Sequence, residues 1–424
     1  MSISSFLRKK FSKALFFPSH NRGKALPKKL VQLLREDPGF WDLPELPELG
    51  SPLSKSGLIK DSQDYFAKKF SVNSCWFGVN GASGLLQSSI LSMANPGEYI
   101  LLPRNIHISI IKICLVANII PIFFDLEFSE VSGQYLPIRK EWLKKILDNK
   151  LLINLKIAGL VLVNPHYQGY SCEIKPLVEL CHRSGIPVLV DEAHGSYFLF
   201  CEDSELPNSA VKAKADLVVH SLHKSLNGLT QTAMLWHHGN IIEKSRIASK
   251  INLLQTTSPN SLLIASCEES IKEWLEKDSL KIYKKRIREA RNIYQELISR
   301  NVPLVKTDDP LKIVLNTGSH GIDGFTADKF FYKKGVIAEL PEMMTLTFCL
   351  GFAEQTNFID VFENLWKSLL ATTIDRKELK PIKPPFDLIQ IPEINPSESL
   401  IRDSQRVNLN QSIGRISADI ICPY

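Results

Sequence analysis

Six short, nearly continuous apolar runs punctuate the chain between Ser71 and Leu235: Cys75–Val79, Tyr99–Leu102, Ile119–Phe124, Gly159–Val163, Val188–Asp191 and Leu217–His220. A strand with one wet face alternates apolar and polar residues. A run that is apolar at every position is covered on both faces, as in a parallel sheet flanked by helices. Each run ends in Gly, Pro or a polar residue, and helical patterns fill the gaps. Over 175–183, Ile174, Leu177, Val178 and Leu180 or Cys181 fall on one face; Gly185 then stops the helix and Pro187 opens the next strand. This alternation predicts an α/β fold with a mostly parallel, doubly wound sheet, in which ligands bind beyond the carboxyl ends of the strands.

The 424 residues, 44% hydrophobic and 23% charged, suffice for two or three domains at about 100–200 residues each. The pattern divides into an N-terminal segment (1–50), a large domain (51–265), a smaller α+β domain (266–375), and a linker with a short C-terminal module (376–424). The linker is marked by three Lys and three Pro within 376–385. A basic helix from Lys281 to about Arg300 carries an ordinary buried stripe (Ile282, Ile287, Ala290, Ile293, Leu297), so its charges read as a solvated face. A net charge of +6 is too mild for a dedicated nucleic-acid binder. The longest apolar run, Ile106 to Phe124, is broken by His107, Lys112, Asn118 and Pro121 and fails as a membrane span. Eight cysteines without a CxxC pair read as reduced core residues of a cytoplasmic protein, not as a disulfide frame or metal site. The first 35 residues hold nine Lys or Arg and no acid, a composition shared with transit peptides. We read them instead as a basic segment folded onto the main body.

Three groups of polar residues fall at carboxyl ends of expected strands and should therefore converge. Asn80-Gly81-Ala82-Ser83-Gly84 follows the first run and opens a helix over 85–93. Free backbone N–H groups and the helix dipole make such a turn a phosphate seat, with the Ser83 hydroxyl as a further donor. Val190-Asp191-Glu192-Ala193-His194-Gly195 places a carboxylate at a buried strand end, where it is badly desolvated unless it meets a cation such as a protonated pyridine nitrogen. Ser221-Leu222-His223-Lys224 places a lysine at another dry strand end, which is costly unless it is paired or its pKa is lowered, and a lowered pKa is what a Schiff-base lysine needs. Taken singly, each has an ordinary structural explanation: a tight turn, an ion-paired acid, a surface lysine. Together and in this order they are the parts that pyridoxal phosphate needs. No GxxxxGK[ST] loop, GxGxxG turn or HExxH pair supports a nucleotide or zinc alternative. His107, after the strand at Tyr99–Leu102, is placed to stack on a cofactor ring.

These stretches, with Pro103-Arg104-Asn105-Ile106-His107, Gln255-Thr256-Thr257-Ser258-Pro259 and Gly414-Arg415-Ile416-Ser417-Ala418, resemble the bacterial Orn/Lys/Arg decarboxylase family of fold-type-I pyridoxal-phosphate enzymes. The resemblance runs from about Phe17 to the end of the chain. It implies that Lys224 is the Schiff-base lysine, Asp191 the pyridinium partner and His107 the stacking ring. Ser83, Ser221 and His223 would hold the phosphate with backbone help from Ala82, and Ala193 would join the cofactor-binding set. Thr256 would reach the phosphate of a partner subunit, which implies a homodimer or larger homo-oligomer with shared active sites. The implied reaction turns arginine, lysine or ornithine into agmatine, cadaverine or putrescine, in the cytoplasm, without nucleic acid or membrane as partner. Three places depart from the family pattern. Pro18-Ser19-His20-Asn21-Arg22-Gly23 replaces a Pro-Gly-His-Lys-Gly-Gly-like segment, Gly50-Ser51-Pro52 replaces a His-Asn-Pro, and Ile108 replaces a Lys. The C-terminal module is also shorter than the family's.

An aminotransferase usually clamps the substrate carboxylate with an arginine from the small domain. Between Gly335 and Trp366 this chain has no Lys or Arg, which favours decarboxylation over transamination. After CO2 leaves, Lys224 or a nearby histidine, with His194 as candidate, would return the proton. Glu339 and Glu342 read as solvated acids, or alternatively as the receiver of the substrate's distal cation. An aldol-type or transamination reaction on the same fold, and a paralogue that binds the cofactor without turnover, are the alternatives.

Overall fold

A computed structural model describes residues 3–201, 206–373, 376 and 378–417. In chain order its strands are β1 (Lys13–Ala14), β2 (Ser74–Gly78), β3 (Tyr99–Pro103), β4 (Ile120–Phe124), β5 (Phe128–Ser129), β6 (Gln134–Tyr135), β7 (Ile157–Val163), β8 (Val188–Asp191), β9 (Leu217–Ser221), β10 (Ala233–His237), β11 (Leu304–Val305), β12 (Lys312–Leu315), β13 (Val336–Ile337), β14 (Leu340–Pro341), β15 (Leu346–Cys349) and β16 (Ile389–Gln390). The large sheet has the order β16-β4-β3-β7-β8-β9-β10-β2. Its centre is parallel, as the apolar runs predict. The runs are apolar throughout because each strand feeds two cores. Leu101, Leu160, Leu162, Val188, Val190 and Val218 point to one face, and Ile100, Leu102, Val161, Leu189, Leu217 and Val219 to the other.

Besides the edge strand β16, one strand within the sheet runs the other way. β10 is antiparallel to both β9 and β2, so β2 is parallel to the central strands, and its carboxyl end opens at the same edge as theirs. The chain ends of β2, β3, β7, β8 and β9 therefore share one rim, which is where the site lies.

A four-stranded antiparallel sheet, β11-β12-β15-β14, forms the smaller domain together with helices Lys277–Ser299, Gly324–Lys333 and Phe358–Thr372. Helix Ser261–Leu275, divided at residue 266 between the two domains by sequence, touches both: Trp274 stacks on Tyr283 of helix Lys277–Ser299, with ring centroids 4.3 Å apart, while the helix also meets the large sheet. Its Cys267 Sγ sits 3.7 Å from the Gly78 carbonyl oxygen and 3.8 Å from that of Ala233. The C-terminal stretch also departs from a separate module. β16 pairs antiparallel with β4 and caps an otherwise open sheet edge, and the Arg104 guanidinium lies 3.8 Å from the Phe386 ring centroid. Ala418 and Cys422 lie outside the described residues; the other seven cysteines are unpaired. Among the described residues no helix is long and apolar enough to cross a membrane.

The N-terminal segment crosses between the two domains. β1 pairs in parallel with β13, Leu15 is buried, and the Leu15 carbonyl accepts the Cys349 N–H (2.8 Å). Two residues beyond, the Phe17 N–H reaches Glu339, and the Ser19 N–H donates to the His223 carbonyl beside Lys224 (3.0 Å).

Gly324 marks where the small domain is tightest. A Cβ there would sit 2.1 Å from the Thr345 carbonyl oxygen and 2.2 Å from that of Glu342, both backbone atoms that cannot swing away. Gly324→Ala is expected to lower unfolding stability by about 1–3 kcal/mol or more, measured by chemical denaturation. A wild-type midpoint would show that the backbone here yields.

Candidate functional site

The strand-end rim encloses a cavity of about 410 Å3 lined by Ala82, Ser83, His107, Asp191, Ala193, His194, Ser221, His223 and Lys224. Every site residue inferred from sequence except Thr256 is among them. Thr256 lines a separate cavity of about 200 Å3 with Ser51, Pro52 and Gln255.

Each residue is held by a short local rule. Gly81, at φ +72°, turns the chain from β2 into helix Gly81–Met93, whose first turn carries no acid to cancel its N-terminal positive end. His107 caps helix Ile108–Val116: its Nδ1 accepts the Ser109 N–H (3.1 Å) and lies 2.7 Å from the Ser109 hydroxyl. Asp191 is buried at the end of β8, with Oδ1 accepting the Ala193 N–H (3.1 Å), and no basic side chain among the described residues forms an ion pair with it. Ser221 Oγ and the Thr232 carbonyl both lie 3.2 Å from His223 Nδ1. Burial pushes the His223 imidazole down to about 4, with the neighbouring Lys224 charge acting in the same direction.

Lys224 stands in the short helix Leu222–Ser225, with its Nζ 3.0 Å from His194 Nε2. Burial holds this amine below the usual lysine range; Asp191 opposes the shift and Lys312 adds to it. His194 is held well below the usual histidine range, first by burial and then by Lys224 and Lys312. The contact with His194 fixes where the Lys224 amine points.

Glu339 and Glu342 are not solvated acids. Both are half-buried in hydrogen-bond networks. Glu339 faces the same cavity as Lys224 and accepts the Phe17 N–H (2.9 Å) and the Tyr167 hydroxyl. Glu342 accepts from Gln134 (2.7 Å), Thr345 (2.9 Å) and Gln168 (2.9 Å), and burial pushes its carboxyl up. Two further residues shape the wall. The Tyr167 and Phe17 rings lie 4.5 and 5.3 Å from the His194 ring, both tilted by 58°. Tyr167 follows β7 as His107 follows β3, so the strand-end rule points to it. Phe17 carries no such signal, because long-range docking brings it there.

A cavity of this size with an anion-receptive helix end, hydroxyls, a desolvated carboxylate and a low-pKa amine has the donor set that a small aromatic phosphate aldehyde requires.

The family described as Orn/Lys/Arg decarboxylase, major domain, matches residues 8–308. The arginine decarboxylase of Bacillus subtilis (strain 168) is 26% identical over 424 residues, covering 96% of this chain and 84% of that protein. The solved lysine decarboxylase A from Pseudomonas aeruginosa superposes with a TM-score of 0.66 at 18% identity, covering 77% of this chain; the chain spans 53% of that protein's length. A solved structure of SPT with PLP superposes with a TM-score of 0.60 at 14% identity, covering 85% of this chain and 86% of the other.

Proposed function

Since the chain belongs to the Orn/Lys/Arg decarboxylase family and has the fold-type-I architecture of pyridoxal-phosphate enzymes, we propose that it uses pyridoxal 5'-phosphate to remove CO2 from arginine, lysine or ornithine. The observation that carries this reading is a single cavity holding Lys224, Asp191, the Gly81–Ser83 turn and Glu339, with no arginine among the described residues that line it.

When bound, the cofactor supplies an electron sink that accepts the pair left on the α-carbon as CO2 departs. The protein's own groups do the rest. The backbone N–H groups of Ala82 and Ser83 and the hydroxyls of Ser83 and Ser221 hold the phosphate, with His223 neutral beside them. Asp191 would keep a proton on the ring nitrogen, because a carboxylate in this dry place gains most from a cationic partner. His107, in the cavity wall, would support the ring. Lys224 would hold the aldehyde carbon, and its Nζ is the group that would carry a proton for return to the substrate's α-carbon. Glu339, the cavity's carboxylate besides Asp191, receives the substrate's distal ammonium or guanidinium. The absence of an arginine clamp leaves the α-carboxylate free of a fixed cation. That suits decarboxylation, since its charge disperses in the transition state. Transamination would call for the opposite.

Thr256, which lines a neighbouring cavity and not the one holding Lys224, fits a homodimer in which it reaches the partner's phosphate. The unpaired cysteines among the described residues are in keeping with a cytoplasmic enzyme, and decarboxylation of any of the three amino acids would serve polyamine formation.

The test is to load the purified chain with pyridoxal phosphate, record its visible spectrum and measure CO2 from L-arginine, L-lysine and L-ornithine. A visible band with CO2 from one of the three is the expected result. A band accompanied by a keto acid or aldehyde product, or by no product from any of the three, sinks the decarboxylase reading.

A further inference from the structure

Lys312, at the start of β12, is only 4% exposed and does not line the cavity. Its Nζ lies 4.3 Å from the Phe17 ring centroid, 5.4 Å from that of Tyr167 and 3.2 Å from Cys349 Sγ. No acid among the described residues is within ion-pair distance of it. The nearest in sequence, Asp309, spends Oδ1 on the Tyr197 hydroxyl (2.7 Å) and the Leu311 N–H (2.9 Å). Aromatic faces are what a dry ammonium group uses when no carboxylate is offered. The rings that hold it are the ones tilted against His194, and Lys224 Nζ lies 6.0 Å from the Tyr167 ring centroid. Two amines therefore face one aromatic wall.

His194 registers the imbalance. Nε2 contacts Lys224, and Nδ1 is buried with no hydrogen-bond partner. An imidazolium would need acceptors on both nitrogens. An unpaired lone pair at Nδ1 is less costly than an unpaired N–H, which makes Nε2–H the donor toward the Lys224 lone pair.

We propose that Lys312 is a positioning residue for Lys224: a cation set behind the Phe17–Tyr167 wall that disfavours a second positive charge on the other side of it. The other groups that face Lys224 are Asp191 on β8, Glu339 on the β13–β14 loop and Cys349 on β15. The histidines beside it are His194, His107 at its helix cap, and His223 in its own turn. The two acids draw a proton onto the amine. Lys312 is the lysine among its neighbours that opposes them. The inference rests on the proposed function only for its purpose, since a neutral amine is what an aldehyde needs; its test does not require the cofactor.

The test measures acylation of Lys224 against pH in the full-length, cofactor-free chain by mass spectrometry, for wild type, Lys312→Met and Lys312→Arg. A positive neighbour lowers the amine's pKa, so removing it raises the midpoint. Lys312→Met is expected to shift the profile to higher pH, leaving roughly tenfold less reactive amine at any pH below the midpoint. Lys312→Arg keeps the wild-type profile. An unchanged profile in Lys312→Met overturns the proposal, as does an equal shift in both variants, which would mean packing rather than charge. Circular dichroism reports folding. If Lys312→Met does not fold, Lys312→Gln takes its place, and a wild-type midpoint at the ordinary lysine value overturns the proposal by itself. Failure of the chain to take up pyridoxal phosphate would defeat the proposed function while leaving this profile decisive for Lys312.

Discussion

Lys224→Ala is expected to abolish the visible band of the pyridoxal-phosphate-loaded chain and to slow CO2 release by at least ~10^3-fold. The side chain projects from a four-residue helix into a cavity, and its hydrogen bond goes to one histidine. Truncation therefore removes chemistry while leaving the core intact, and circular dichroism and the thermal midpoint should stay near wild type. The loss combines two effects: no nitrogen to hold the aldehyde carbon, and no proton carrier at the α-carbon. External methylamine restoring part of the rate would separate the second from the first. A variant that keeps the band, with turnover near wild type, would place the reactive amine elsewhere and remove the basis of the assignment.

Asp191→Asn should cost about 10^2- to 10^4-fold in turnover while the chain still folds and still binds the cofactor. The amide keeps an oxygen for the Ala193 N–H, so the local turn is preserved. What disappears is the negative charge at the end of a dry strand. A neutral amide has no preference for a protonated ring nitrogen, so the electron sink weakens without any change in shape. The measurement is turnover of the best of the three amino acids, beside cofactor affinity from the absorbance titration. Loss of affinity with unchanged turnover at saturation would make Asp191 an anchor and not an electronic partner.

Much of this site can be read from sequence, because each part obeys a local rule applied at a strand end. The apolar runs set where strands stop, and Ser83, His107, Asp191 and Lys224 all stand within a few residues of such a stop. Parallel strands then bring those ends to one rim whatever the details of packing. What sequence could not supply depends on partners far away in the chain. The direction of β10 follows from its neighbours and not from its own five residues. Glu339 and Glu342 look like solvated acids until Tyr167, Gln134 and Gln168 are docked against them. Lys312 lies upstream of the Gly335–Trp366 stretch where a small-domain cation is expected, and only its burial distinguishes it from any surface lysine. The C-terminal stretch carries too little apolar pattern to announce β16, whose place is set by the open edge of β4.

The inserted antiparallel strand also sets a timetable. β2 has no neighbour in the large sheet until β10 exists, because residues 74–78 pair with residues 233–237 and with no other strand. At the usual pace of translation, roughly 5–20 residues per second, the wait is on the order of 10–30 s. During that time Ser74-Cys75-Trp76-Phe77-Gly78 is an unpaired apolar edge on a growing chain, a substrate for chaperones rather than for cofactor. The phosphate turn that follows β2 and the lysine that follows β9 thus become a site together, in the interval when β10 leaves the ribosome. β1 waits longer still, for residue 336. Any pyridoxal phosphate captured at that stage would therefore meet a large sheet that still lacks β16 and a small domain that has yet to be made.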